Sequence, residues 1–387
     1  MNFSRNLIIA MGATIVAFCT LYTPQPMLPM LAEQFSISSA DAGLLMTATL
    51  LPLGFAPVVY GYFLQAIPAK LMLSVALSLL MLDQFAFYFA TEFWHLIVLR
   101  VFQGLLLPAI FTALMTYCAS MVAKDRIRNM MGWYIGATVV GGFSGRVVGG
   151  FFATSYDWRL AFVVLGLMLI VPVILLRYVS ADAEVNFERL DPHTIFRVLK
   201  NPAFRYSYLS IFSVFFVYAG VLNVLPFRLQ EIDASISPLR ISGLYIGYLV
   251  GVPIAIFSQR IMRAIGNDKK ALLVGLLLNA VGLLAFLTSD ITILLVMMFG
   301  FAAGFFFIHA TLSGLVNHLA YEHKGVVNGL YVSIYYISGA LGTWLPGYIY
   351  DQFGWNNLIT VFIGTLGLST WLVLKLRIDV HEREESG

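Results

Sequence analysis

Charge is what this chain has least of. Asp, Glu, Lys and Arg make up 11% of its 387 residues and hydrophobic types 60%, whereas a soluble globular domain is charged at about a quarter of its positions. A mean hydropathy of +0.85 excludes water as the main solvent. Cysteine is also sparse. Cys19 and Cys118 are the two present, and both fall inside long apolar stretches, which argues against a disulfide framework and for packed thiols. There is no Gly-Lys dipeptide, so a Walker A loop and direct use of ATP are excluded, and there is no His-Glu-x-x-His. No other converging catalytic set is found. The chain is therefore not expected to be an enzyme, and no cofactor or metal is expected.

Apolar runs are plentiful. A helix needs about 20 mostly apolar residues to cross a bilayer, because lipid offers the backbone no hydrogen-bond partners. Twelve such stretches run approximately over 7–29, 41–63, 70–90, 94–120, 129–153, 158–178, 204–226, 242–262, 269–288, 291–318, 325–349 and 355–376. The first passes Pro24, Pro26 and Pro29 without an evident small-residue cleavage site, which reads as a retained helix, with a cleaved signal peptide as the alternative. With the N-terminus placed in the cytoplasm, eighteen Lys and Arg fall in loops on that side, and Arg159, Arg228 and Arg240 alone fall on the other. The positive-inside rule then puts both ends in the cytoplasm. The net charge of +3 follows from this topology, so no nucleic-acid partner is read into it.

The longest polar stretch, with Asp182, Glu184, Glu188, Arg189, Asp191 and Arg197, divides the chain near its middle. It predicts an N-terminal six-helix bundle over 1–179, a cytoplasmic linker over 180–203 and a C-terminal six-helix bundle over 204–387. An internal repeat supports the division. One offset of 197 residues, without a gap, places Gly132 on Gly329, Tyr134 on Tyr331, Gly142 on Gly339, Gly145 on Gly342, Gly150 on Gly347 and Trp158 on Trp355. The same offset places Leu28-Pro29 on Leu225-Pro226. An even number of spans per half makes the halves parallel, with a cavity between them, an arrangement suited to alternating access.

At this point the chain resembles the major facilitator superfamily over essentially its whole length. Arg100-Val101-Phe102-Gln103-Gly104 matches that family's Arg-x-x-Gln-Gly signature, and Gly132, Gly141, Gly145, Gly149 and Gly150 reproduce the spacing of the glycine motif of its antiporter and exporter branches. Arg146 stands where that motif usually has proline. Gly61 to Lys70 occupies the place of the Gly-x-x-x-Asp-Arg-x-Gly-Arg-Lys loop, with Gln65 at the acid's position and Pro68 at the second glycine's. The fold expected is thus an all-α integral membrane protein with twelve transmembrane helices in two pseudo-symmetric six-helix bundles. The resemblance also implies that the first, fourth, seventh and tenth helices line the cavity. Along them stand Tyr22, Gln25, Gln103, Tyr218, Asn223, Phe306 and His309.

Ionisable residues inside a bilayer cost about 2.5–3.5 kcal/mol on the insertion scale and need a reason. Four lie well inside predicted spans, away from their ends: Asp83, Arg100, Arg146 and His309. At about 1.5 Å per residue, Asp83 and Arg100 reach similar depths and Arg146 lies slightly deeper. Asp83 is expected to neutralise Arg100 or Arg146. On one reading that pair is purely structural. On the other, two arginines sharing one acid leave a spare guanidinium, whose planar fork attracts a carboxylate-bearing solute. Asp83, the sole acid well inside a span, and His309, which titrates in the right range, are the candidates for proton coupling; a packing role is the alternative for His309. Gly141, Gly145 and Gly149, four residues apart, form one stripe for close helix packing, with Gly150 beside it. Pro24, Pro26 and Pro29 are expected to break the first helix and free carbonyls toward water or substrate.

The function expected is secondary active transport of a small organic solute, by proton-coupled efflux of a drug or metabolite. The alternatives are proton-coupled uptake of a small organic anion and a transport-inactive receptor on the same fold. The expected partners are the solute, protons and the lipid bilayer. The protein is expected to act as a monomer in a bacterial inner membrane.

Overall fold

The computed structural model describes residues 5–63, 66–123, 126–179, 184–186, 192–320 and 322–376. In the first half these form α1 (Arg5–Tyr22), α2 (Leu28–Phe35), α3 (Ser39–Phe63), α4 (Ala69–Ala86), α5 (Phe93–Ser120), α6 (Ile127–Ser155) and α7 (Arg159–Leu175). The short α8 (Pro192–Lys200) leads into the second half, with α9 (Pro202–Ile232), α10 (Pro238–Leu244), α11 (Gly251–Ile265), α12 (Asp268–Ala285), α13 (Ile291–Leu319) and α14 (Lys324–Lys375). A two-stranded antiparallel clip, Ala66–Pro68 against Glu184–Asn186, is the sole β-structure among the described residues. It ties the loop before α4 to the linker. Gln65, where the family's acid is missing, lies outside the described residues.

Ten described segments are long and apolar enough to span a membrane. Two further spans complete the twelve. At Gly354 the backbone of α14 leaves the helical region (φ 78°, ψ 175°), so α14 is two helices. The eighteen residues of α12 carry their charges, Asp268, Lys269 and Lys270, only in the first turn, where Asn267 caps the helix through the Lys270 amide. The exposed side chains are those a lipid solvent selects. Leu71, Val75, Leu79 and Leu82 form one outward stripe on α4, and Val274, Leu277, Leu278, Val281 and Leu284 form another on α12. Their spacing of three and four residues keeps each stripe on one helix face. Exposed aromatics, Trp94, Tyr156, Tyr348 and Phe353 at one end of the bundle and Tyr178 and Trp371 at the other, occupy the interfacial levels.

Within each half the helices pack through glycine. A Cβ on Gly141, Gly145 or Gly149 of α6 would strike the carbonyls of Ile15 and Cys19 of α1 or of Thr23 just past its end, so two stripes of four-residue spacing interlock and the backbones touch. The repeat recurs as a three-dimensional contact. Gly342 of α14 meets the carbonyl of Phe216 of α9, which is the Gly145–Cys19 contact moved by 197 residues in both partners. Gly150 faces Ser242 and Pro238 of α10 across the boundary between halves.

Pro24 explains the break in the first span. It has no N–H to donate to the carbonyl of Thr20, so α1 stops at Tyr22, a 3₁₀ turn covers Gln25–Met27, and α2 restarts at Leu28.

Candidate functional site

Where the halves meet, a cavity of about 510 Å³ opens toward the face that carries Arg5 and Leu376. Its walls include Tyr60, Met115, Tyr134, Gly325 and Asn328, close to the ends of α3, α5, α6 and α14 at that face. Deeper in stand Tyr22, Phe111, Tyr248, Phe306, His309 and Tyr335. The opposite face is sealed. The Ser39 hydroxyl donates to the Asp351 carboxylate at 2.6 Å and the Ala40 amide to its other oxygen at 3.1 Å, so a side chain of α14 caps the start of α3. Thr47 donates to the Ala340 carbonyl at 2.9 Å, and Ser242 to the Arg146 carbonyl at 2.8 Å.

Above the cavity floor, Arg146 is fully buried. Its Nε donates to Gln25 Oε1 at 2.8 Å and its Nη1 to the Gly142 carbonyl at 3.0 Å; Nη2 has no acceptor. Three tyrosine rings surround the guanidinium, Tyr22 at 4.3 Å and Tyr245 and Tyr248 at 4.7 Å. Tyr245 and Tyr248 belong to a 3₁₀ segment, Tyr245–Val250, between α10 and α11. With three residues per turn, side chains three apart eclipse, which aims both rings at one charge. Gln25 also donates weakly to Asn223 Oδ1 at 3.5 Å, and Asn223 Nδ2 donates to the Thr343 carbonyl at 2.8 Å. A polar chain thus runs from Arg146 across the boundary between halves. Beside it lies a void of about 20 Å³, lined among others by Tyr22, Arg146, Tyr218, Tyr248 and Tyr335.

The expected ion pair of Asp83 with Arg100 or Arg146 does not form as a contact; Asp83 acts on Arg100 only as a nearby charge. Among the described residues no salt bridge joins them. Arg100 turns to the break in the first span instead. Its Nη1 donates to the Thr20 carbonyl at 3.1 Å and to Gln103 Oε1 at 2.6 Å, its Nη2 to the Leu21 carbonyl at 2.8 Å, and its Nε to the Leu45 carbonyl at 2.8 Å. The carbonyl that Pro24 leaves without a helical partner is taken by a guanidinium, which also corrects the expectation that it faces water or substrate. The Arg-x-x-Gln spacing has a local cause here: residues three apart share a helix face, so Gln103 reaches back to Arg100. Asp83 accepts from Gln84 at 3.0 Å, and its other oxygen is buried without a partner.

Of the remaining sequence-derived residues, Phe306 and His309 line the large cavity, and the His309 ring contacts the Tyr331 hydroxyl at 3.0 Å. Tyr218 stacks on Phe305 at 3.7 Å, with its hydroxyl unpartnered. The sequence reading did not single out Tyr245, Tyr248, Tyr335 or Tyr336. Their signals were the Tyr-x-x-Tyr at 245–248 and the Tyr331, Tyr335, Tyr336 cluster, both at helical spacing.

Two bundles related by an internal repeat, with a cavity between them open at one end, define a transporter fold. The chain belongs to the Major Facilitator Superfamily, whose family model matches residues 10–343 and 268–387. It is 24% identical over 371 residues to an uncharacterized transporter of Buchnera aphidicola (subsp. Schizaphis graminum), covering 93% of this chain and 88% of that protein. It is also 24% identical to the inner membrane transport protein YnfM of Escherichia coli K12, covering 92% and 87%. Multidrug resistance protein MdtG of Rahnella sp. matches at 26% over 52% of this chain and 50% of its own. Among solved structures, a bacterial homolog of the human lysosomal transporter Spinster, inward-facing and unoccupied, superimposes with a TM-score of 0.69 at 16% identity, covering 96% of this chain and 94% of that one.

Proposed function

We infer that this protein exports a small amphipathic organic solute by alternating access, in exchange for protons. The observation that carries the reading is the cavity of about 510 Å³ between the two halves, open at one face and sealed at the other by Asp351, Thr47 and Ser242. Its volume is that of ordinary small-molecule sites, about 300–1,000 Å³, and its wall mixes aromatic rings with aliphatic and polar side chains. Rocking of the halves, 1–179 and 204–387 about the linker 180–203, would part the sealed face and close the open one. Efflux follows the name of the MdtG relative, and a bacterial inner membrane follows that of YnfM. We place both ends in the cytoplasm, so the cavity faces inward here, and take one chain as the working unit.

The solute site in this reading comprises Tyr22, Gln25, Arg146, Tyr218, Asn223 and Phe306. Arg100 and Gln103 belong to the scaffold, because every Arg100 nitrogen already donates. The proton goes first to His309, which lines the cavity; Asp83 is the second candidate. Counterflow in proteoliposomes against a panel of metabolites and drugs, with and without a pH gradient, is the test. Saturable counterflow that a gradient drives uphill is expected. Absence of counterflow for every solute, by protein that is folded and inserted, would end the reading.

A further inference from the structure

Of the buried hydrogen-bond donors without acceptors among the described residues, which include Gln103 Nε2, Arg228 Nε and the Ser210 and Ser333 hydroxyls, two border the same void. Arg146 Nη2 and the Tyr218 hydroxyl are buried without partners, and both residues line the space of about 20 Å³ at the inner end of the cavity. A buried guanidinium without an acid in contact is costly. The three tyrosine faces offset part of this, but a ring face gives Nη2 no lone pair of the kind a carboxylate supplies. The orphan carbonyl and carboxylate oxygens among the described residues, Asp83 Oδ1, Gln84 Oε1 and Asn279 Oδ1, belong to residues that do not line the void. What is missing at this spot is therefore an acceptor, and beside a guanidinium with no acid in contact an anionic one is the strongest partner.

Resting on the transporter reading above, we propose that the solute carries one carboxylate, seated between Arg146 and Tyr218, with its apolar body in the large cavity. The void is about the size of one water-like group, which suits a carboxylate oxygen better than a tetrahedral phosphate. Tyr22, Tyr248 and Tyr335 line both the void and the large cavity, so a head group in the first is continuous with a body in the second. One charge is enough. The position 197 residues beyond Arg146 is Thr343, so the repeat supplies no second guanidinium. Arg146 comes from α6 and Tyr218 from α9, so the bound carboxylate joins the two halves. It also sits beside Gln25, which holds Nε of the same guanidinium and makes the Gln25–Asn223 contact that crosses between the halves.

The test uses one body with three heads: 4-phenylbutyrate, 4-phenylbutanamide and 4-phenylbutylamine. Binding to the full chain in nanodiscs is read by thermal shift, and movement by counterflow in proteoliposomes. The carboxylate alone is expected to raise the melting temperature, with its affinity about tenfold weaker in Arg146→Gln and several-fold weaker in Tyr218→Phe, the losses of a charge-assisted and a neutral hydrogen bond. Tyr218→Phe removes only a hydroxyl, so it keeps the test valid if Arg146→Gln fails to fold. Equal binding of all three heads, undiminished binding in both variants, or no shift with this acid or with benzoate, phenylacetate and indole-3-acetate would overturn the proposal. Counterflow of the amide or amine without the acid would overturn it and leave the transporter standing. Binding of the acid without counterflow of any solute would do the reverse.

Discussion

The glycine seam between α1 and α6 makes a quantitative prediction. A Cβ built on Gly145 lies 2.7 Å from the Cys19 Cα and 2.8 Å from its carbonyl carbon, against ordinary contacts of 3.4–4 Å. Gly145→Ala therefore has to part the two helices by more than about 0.7 Å, the difference between 3.4 and 2.7 Å, because the Cys19 carbonyl oxygen lies nearer than its Cα. Backbone cannot rotate away as a side chain can, and Gly141 and Gly149 tie the same seam at either side. Overpacking of this kind costs about 1–3 kcal/mol, and for a unit the size of one half each kcal/mol lowers the melting temperature by about 2–4 °C. Gly342→Ala, at the repeat-related contact with Phe216, is expected to cost a similar amount. Gly300→Ala and Gly367→Ala are the controls. Nothing lies within 4 Å of a Cβ at either, and alanine in a helix interior gains about 0.5–1 kcal/mol over glycine. The assay is built into the chain, because Cys19 and Cys118 are buried and free, so a thiol-reactive fluorophore reports unfolding on heating. If Gly145→Ala and Gly342→Ala melt no lower than the two control variants, backbone contact does not hold the seam.

Three further outcomes are expected. Arg100→Lys melts lower than Arg146→Met in the same assay, because an ammonium cannot serve four acceptors spread around a planar fork, whereas Arg146→Met removes a buried charge with an idle amino group; the reverse order would show that Arg146 is the structural one. Asp351→Ala loses both bonds to Ser39 and Ala40, worth about 0.5–1.5 kcal/mol each. Spin labels on Glu33 and Gln352 are then expected to show a longer-distance population about fivefold or more enriched, and an unchanged distance distribution would mean that the sealed face is held elsewhere. His309→Gln is expected to keep counterflow while losing uphill transport driven by a pH gradient, with Asp83→Asn retaining both; gradient-driven transport in His309→Gln would move the proton to another group.

Much of the architecture was legible without coordinates because it is local or repetitive. Lipid demands long apolar helices whatever their neighbours are, so the twelve spans fell within about six residues of the helices found, including the break at Gly354 between 325–349 and 355–376. The 197-residue repeat and the four-residue glycine spacing are periodicities of one chain, and they reappear as the Gly145–Cys19 and Gly342–Phe216 contacts. Partnership is different, because it depends on how helices far apart in sequence are turned about their axes. Depth alone made Asp83 a partner for either arginine. The fold instead faced Arg100 toward the Thr20 carbonyl that Pro24 leaves open and the Leu21 carbonyl beside it and set Arg146 among rings from α1 and from the 3₁₀ turn at Tyr245–Val250. Composition and spacing thus define a membrane protein built of paired halves. Which of its two buried guanidinium groups is still short of an acceptor was decided by helix rotation and one proline's missing N–H.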